Sequence, residues 1–237
     1  MVIPAYFSKK VLQLRLRRKT IHLAVWSSHT AIVGLLLENG APIEAINGDG
    51  NTLLHFAARS SHTGIMGLLL ENGAPIEAMD KDDNTPLHLA AGSIFTGMAE
   101  LLLMNGAPIE AMDEYDNTPL HLAVRGGYIS IVKMLLGKGA PVEAKDKDSN
   151  TPLHIAVRSG YTGIAKMLLG KDAPVEAMDK DNNTPLHLAA GRGDTFMLQL
   201  LLHKGGLGIK TTEIHMSLEQ RMVILGQSVA LGTEGWT

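Results

Sequence analysis

The chain has 237 residues, 45% of them hydrophobic and 19% charged, with a formal net charge of −3 and no cysteine. That length suits one ordinary domain or one array of repeats, and the charge argues against a generally basic nucleic-acid binder. Without cysteine there is no disulfide, thiolate metal site or cysteine nucleophile, a composition that fits a reducing compartment.

The first segment, residues 1–18, runs into Lys19 with Lys9, Lys10, Arg15, Arg17 and Arg18 and carries no acid. Its short apolar patch, Val2–Phe7, precedes the charges, the wrong order for a signal peptide. No run in the chain reaches the ~18 apolar residues of a membrane helix, so the reading is a protein of the cytoplasm. The segment reads as a basic cap, a solvated helix with Val11, Leu12, Leu14 and Leu16 partly packed. The alternative is a nuclear address or a phosphate-contacting arm.

From residue 19 onwards a repeat dominates. His22, His55, His88, His121, His154 and His187 recur every 33 residues, and the same step carries Leu35–Leu37 to Leu68–Leu70, Leu101–Leu103 and Leu200–Leu202. Met134-Leu135-Leu136 and Met167-Leu168-Leu169 fill the two places between. One unit shows the logic. Thr85 can cap a helix by accepting an orphan N–H, and Pro86 sits at the first helical position, where a missing N–H costs nothing. The short helix Leu87-His88-Leu89-Ala90-Ala91 follows, with small side chains that allow close approach. A turn at Ser93–Thr96 leads to a second helix from about Gly97 to Asn105, whose apolar face is Met98, Leu101, Leu102 and Leu103. Gly106 closes it in the left-handed conformation and Pro108 blocks continuation. Ile109–Met112 then reads as short and extended, and Asp113–Asp116 as a turn. The ten prolines test the scheme. Pro86, Pro119, Pro152 and Pro185 open first helices. Pro42, Pro75, Pro108, Pro141 and Pro174 follow second helices, and Pro4 alone lies outside.

The stretch Thr-Pro-Leu-His-Leu-Ala at 85–90, 118–123 and 184–189, with Ile155 the one change at 151–156, resembles the ankyrin-repeat family, as do the Leu-rich closures ending in Gly-Ala. The resemblance covers residues 19–206. It implies an all-α ankyrin-repeat solenoid of six stacked helix–turn–helix units with β-hairpin fingers, each unit burying its apolar faces against its neighbours. It also implies histidines that hydrogen-bond backbone and tie each helix to the next loop.

Some positions depart from the pattern. Thr20 and Leu53 replace the helix-opening proline. Asp172 replaces the glycine after the fifth second helix, a left-handed site that costs a side chain roughly 1 kcal/mol. Asp83, Asp116, Ser149 and Asn182 stand where only Gly50 keeps the family's finger glycine. After residue 206 the repeat stops, and 207–237 reads as a C-terminal capping helix, with Ile214, Leu218, Met222 and Leu225 on one face, followed by a tail.

Catalytic and metal chemistry find little support. Histidines on units about one helix diameter, ~10 Å, apart cannot share an ion with ~2 Å bonds. The acidic fingers lack the ordered ligand run of a calcium loop. No nucleophile elbow, phosphate loop or dinucleotide motif is present. The reading is therefore a non-enzymatic module without cofactor, small-molecule substrate or membrane partner, and not a nucleic-acid binder. It acts as a scaffold, adaptor or inhibitor of another protein. The resemblance places partner contacts on the concave face. At the fingers they fall on Asp49, Lys81, Asp82, Glu114, Tyr115, Lys147, Asp148, Lys180 and Asp181, and at the first-helix ends on Trp26, Arg59, Arg125, Arg158 and Arg192. Arg59, Arg125 and Arg158 line up as a ladder with a gap at Gly92. Since arginine and tyrosine are favoured interface anchors, the expected partner surface carries an acidic strip. Tyr128 and Tyr161 are expected to pack between units.

Overall fold

The computed structural model describes residues 18–204. They form six helix pairs, numbered α1 to α12. The pairs are α1 (residues 18–26) with α2 (Thr30–Glu38), α3 (Leu53–Ala58) with α4 (Thr63–Glu71), and α5 (Pro86–Ala91) with α6 (Thr96–Met104). Then come α7 (Pro119–Arg125) with α8 (Ile129–Gly137), α9 (Pro152–Ser159) with α10 (Thr162–Leu169), and α11 (Pro185–Gly191) with α12 (Thr195–Lys204). First helices pack on first helices from α3 to α11, and second helices on second helices from α2 to α12. The sequence-predicted basic segment up to residue 17 and the C-terminal capping helix lie outside the described residues.

The capping chemistry repeats. In five units a threonine N-cap donates its backbone N–H to the Nδ1 of the histidine three residues on, at 3.0 to 3.2 Å. In four of these the opposite ring nitrogen donates to a carbonyl of the following loop: His55 to Asn84 at 2.8 Å, His88 to Asn117 at 2.9 Å, and His121 to Asn150 and His154 to Asn183 at 3.1 Å each. An amide can only donate and a carbonyl can only accept, so these partners require the neutral ring with its proton on Nε2. His22 departs from the pattern. α1 is already helical at residue 18, so no threonine caps it and His22 lies within the helix. Its Nδ1 donates to Arg18 O at 2.7 Å, and its buried Nε2 has no partner among the described residues.

The core runs continuously through the stack and is made of aliphatic side chains. In the third unit Leu87, Ala90, Ala91, Met98, Ala99 and Leu102 are all fully buried. Alanines at 90 and 91 let α5 sit closely against α3 and α7. The first four second helices close as predicted at a glycine, Gly40, Gly73, Gly106 and Gly139. Gly106 has φ +83°, and Ala107 N–H reaches back to Leu102 O at 3.0 Å.

The fingers differ from the extended hairpins expected from sequence. Ile109-Glu110 lies in a turn, and the one bridge among the described residues is Ile46 with Thr52. The cause is the first polar residue of each finger, Asn47 in the first and an aspartate in the others. Asp80 Oδ1 accepts from the N–H groups of Asp82 at 3.0 Å and Asn84 at 2.9 Å, and so takes donors a strand ladder would use. A tight turn follows. Asp83 N–H meets Asp80 O at 3.1 Å with Asp83 itself at φ +57°, and Asp80 N–H closes on Asn84 O at 3.0 Å. This is a type I turn ended by a left-handed residue, which explains why only Gly, Asp, Ser or Asn stands at this place.

Candidate functional site

Each finger is tied to the next by one backbone bond. Lys81 N–H donates to Asp49 O, Glu114 to Asp82 and Lys147 to Tyr115 at 3.0 Å, and Lys180 to Asp148 at 2.9 Å. The finger side chains therefore stand in a row of fixed pitch. Within it Lys81 pairs with Asp49 at 3.0 Å and Lys180 with Asp148 at 2.9 Å. The hydrogen bond to each aspartate holds these ammonium groups above the ordinary lysine range. Tyr115 is 59% exposed, its phenol is pushed up by the hydrogen-bonded Glu114 carboxylate, and Lys147 lies 5.9 Å above its ring. Asp82 and Glu114 are half-buried and Asp181 exposed.

The ends of the first helices face the finger bases. Arg125 donates to Asn117 at 2.9 Å and lies 3.7 Å from Asp146; Arg158 donates to Asn150 at 3.0 Å and to Asp179 at 3.3 Å. Asp179 is nearly buried. Burial alone would raise its pKa, but N–H donors of Asn183 and Asp181 outweigh it and hold the carboxyl below the usual range. Arg192 donates to Arg158 O at 2.7 Å. The ladder is thus partly engaged with the protein itself, each arginine spanning from its own unit to a neighbour, and it is less free than its sequence positions imply. Arg59 is the exception. It is exposed, and its guanidinium makes no hydrogen bond or ion pair among the described residues.

Arg59 borders an open cleft whose described lining is Trp26, Phe56, Arg59 and Ser60. Trp26 is 71% exposed, and its ring lies 6.5 Å from that of Phe56 at 26°. Phe56 and Ser60 are absent from the sequence-predicted set. The signal was present: Phe56 is the one ring at a place held elsewhere by Leu89, Leu122, Ile155 and Leu188. Also absent from that set are Ile46, Met79, Met112 and Met178, exposed apolar residues in step at the finger bases. Of the two turn tyrosines, Tyr161 packs between units, its ring lying over Gly127, and Tyr128 lies against Gly126 and against the core.

A family model for ankyrin repeats matches residues 21–113, 74–146, 94–179 and 120–213. The chain is an ankyrin-repeat protein. No curated protein matches it in a sequence comparison. Ankyrin repeats are generally protein–protein interaction modules. In this ankyrin array the described residues contain no group of three or more histidines or acids placed to hold a metal ion, and no helix long and apolar enough to cross a membrane.

Proposed function

We propose that this protein is a non-catalytic interaction module, a scaffold, adaptor or inhibitor. It captures another protein on the face formed by the finger row and the first-helix ends, concave in the family. The observation that supports this most is the backbone lock between successive fingers. A pre-ordered row loses little entropy on binding, so its exposed Tyr115 and charged side chains are available as a ready surface. The partner surface carries an acidic strip opposite the first-helix arginines, which keep half their side-chain surface open while bridging to Asp146 and Asp179.

The test is affinity capture with the full chain. Arg59→Glu combined with Arg125→Gln and Arg158→Gln removes the positive strip; glutamine at 125 and 158 avoids placing a new carboxylate against Asp146 and Asp179. Capture of the partner falls at least about tenfold while the helical circular dichroism is unchanged. Undiminished capture refutes the surface. A nuclear role for the basic residues up to Lys19 is the alternative, supported by six cations without an acid. Deleting residues 1–18 moves the protein between compartments if that reading holds and leaves its distribution unaltered if it does not.

A further inference from the structure

The first two units differ from the rest in three linked ways. The first-helix ring is Phe56 rather than an aliphatic side chain. Trp26, at the end of α1, leaves most of its indole in water beside it. Arg59 has no counter-ion among the described residues, although Asp80 stands 21 residues on, the separation at which Arg158 meets Asp179. His22 meets Phe56 edge to face, 5.2 Å between centroids at 81°, and so supports the ring. The Ser60 hydroxyl is already committed, donating to Ala57 O at 2.8 Å and accepting from His62 N–H at 3.3 Å. Among the described lining, the polar groups left for a visitor are donors, the guanidinium and the Trp26 indole N–H, and the rest is aromatic.

We propose that the cleft walled by Trp26 and Phe56 and bordered by Arg59 is the anchor site of the binding face, and that it takes a carboxylate carried next to an aromatic or aliphatic group. On the partner this is an acidic residue beside a large apolar one. The proposal rests on the reading of this face as a protein-binding surface and narrows it to one place. Arg125 and Arg158 already spend part of their charge on Asp146 and Asp179, so an incoming carboxylate gains less there. At Arg59 it meets an unneutralised planar donor fork, next to rings whose remaining water-exposed area is released on contact. A cation at the rim also disfavours a basic ligand, so the sign of the partner's charge is set. Exposed tryptophan and unpaired arginine side by side are the composition of an interface hot spot.

A small-molecule probe tests the cleft without the partner. The full chain carrying Trp236→Phe keeps Trp26 as its one indole, since the sequence has two tryptophans. In nitrogen-15 labelled protein the Trp26 indole N–H is followed while 3-phenylpropionate, or its uncharged amide, is added through the millimolar range. The acid produces a saturable shift; the amide binds about tenfold more weakly or worse, because it forfeits a charge-assisted bond. Arg59→Gln weakens the acid by a similar factor and Arg59→Lys by less, whereas Arg125→Gln and Arg158→Gln leave it unchanged. Phe56→Leu, which installs the residue that other units carry there, also weakens it and serves as the variant that keeps the fold. Absence of a saturable shift, an equal response to acid and amide, or indifference to Arg59→Gln overturns the proposal. Partner capture reports on the whole face and this titration on the cleft alone, so failure of one is distinguishable from failure of the other.

Discussion

His55, His88, His121 and His154 are held by donors and acceptors that leave no room for a second ring proton. Burial pushes each pKa below the ordinary 6.5, more than the hydrogen bond to the next loop's carbonyl raises it. Protonation would also put a proton on Nδ1, where the threonine N–H already points. The folded state thus binds these protons more weakly than the unfolded chain. The corresponding stability is complete above about pH 6.5 and is lost as pH falls below it toward the depressed folded values. Unfolding in urea therefore shows a midpoint that is flat above neutrality and declines on acidification. The slope reaches at most about 1.4 kcal/mol per pH unit for each participating histidine. A midpoint unchanged between pH 7.5 and 5.5 would show that the rings are already accommodated as cations. These roles were legible from the 33-residue spacing and from the threonine three places earlier. The exception at His22 was not, because nothing at residue 19 announces that α1 begins before its expected cap.

At the level of the element, most boundaries follow from local chemistry. Threonine and proline start the first helices, and glycine stops the second ones. α6 begins one residue before the sequence estimate, at Thr96 rather than Gly97. The end of α10 is the strained joint. Asp172 takes φ +60° where the other second helices close on Gly40, Gly73, Gly106 and Gly139, while its neighbour Ala173 N–H still returns to Leu168 O at 3.2 Å. Among the described residues no hydrogen bond of the Asp172 side chain offsets that conformation, and the residue is exposed. Asp172→Gly is therefore expected to stabilise the protein by about 1 kcal/mol, seen as a higher midpoint in thermal or urea unfolding. Asp83→Gly, made in the second finger as a companion, gains a similar amount. The finger loops were predicted as extended hairpins; the asparagine and aspartate side chains turn them into compact turns, and the turn residues alone did not say which would win.

Across the whole molecule, stability is carried by contacts between neighbouring units. Helices of one unit touch those of the adjoining units, the fingers are joined in series, and His55, His88, His121 and His154 each reach one unit forward. Such an array behaves as a sum of unit and interface contributions. Removing residues 118–150 deletes one complete period and joins Asn117 to Thr151, the cap that occupies the same place as Thr118. The shortened chain should keep its helical signal per residue, and its urea m-value should fall by roughly a sixth, in proportion to the surface buried. Loss of cooperative unfolding in that deletion would mean that the units are not interchangeable. The capture experiment belongs to this scale as well, because a partner spanning several units reads the pitch that the finger bonds set.

The amino-acid sequence alone determined the unit, its length, its caps and the family, because each depends on residues close in the chain and on a period that repeats without interruption. It also placed the exposed finger and helix-end residues on one side. Only the tertiary structure decided which of those charges remain available. Arg125 and Arg158 are met by Asp146 and Asp179, 21 residues onward, while Arg59 stands in the equivalent place without its carboxylate and beside two rings from adjacent units. Pairing of that kind depends on distances of a few tenths of a nanometre between side chains of different units, and sequence position does not encode those distances.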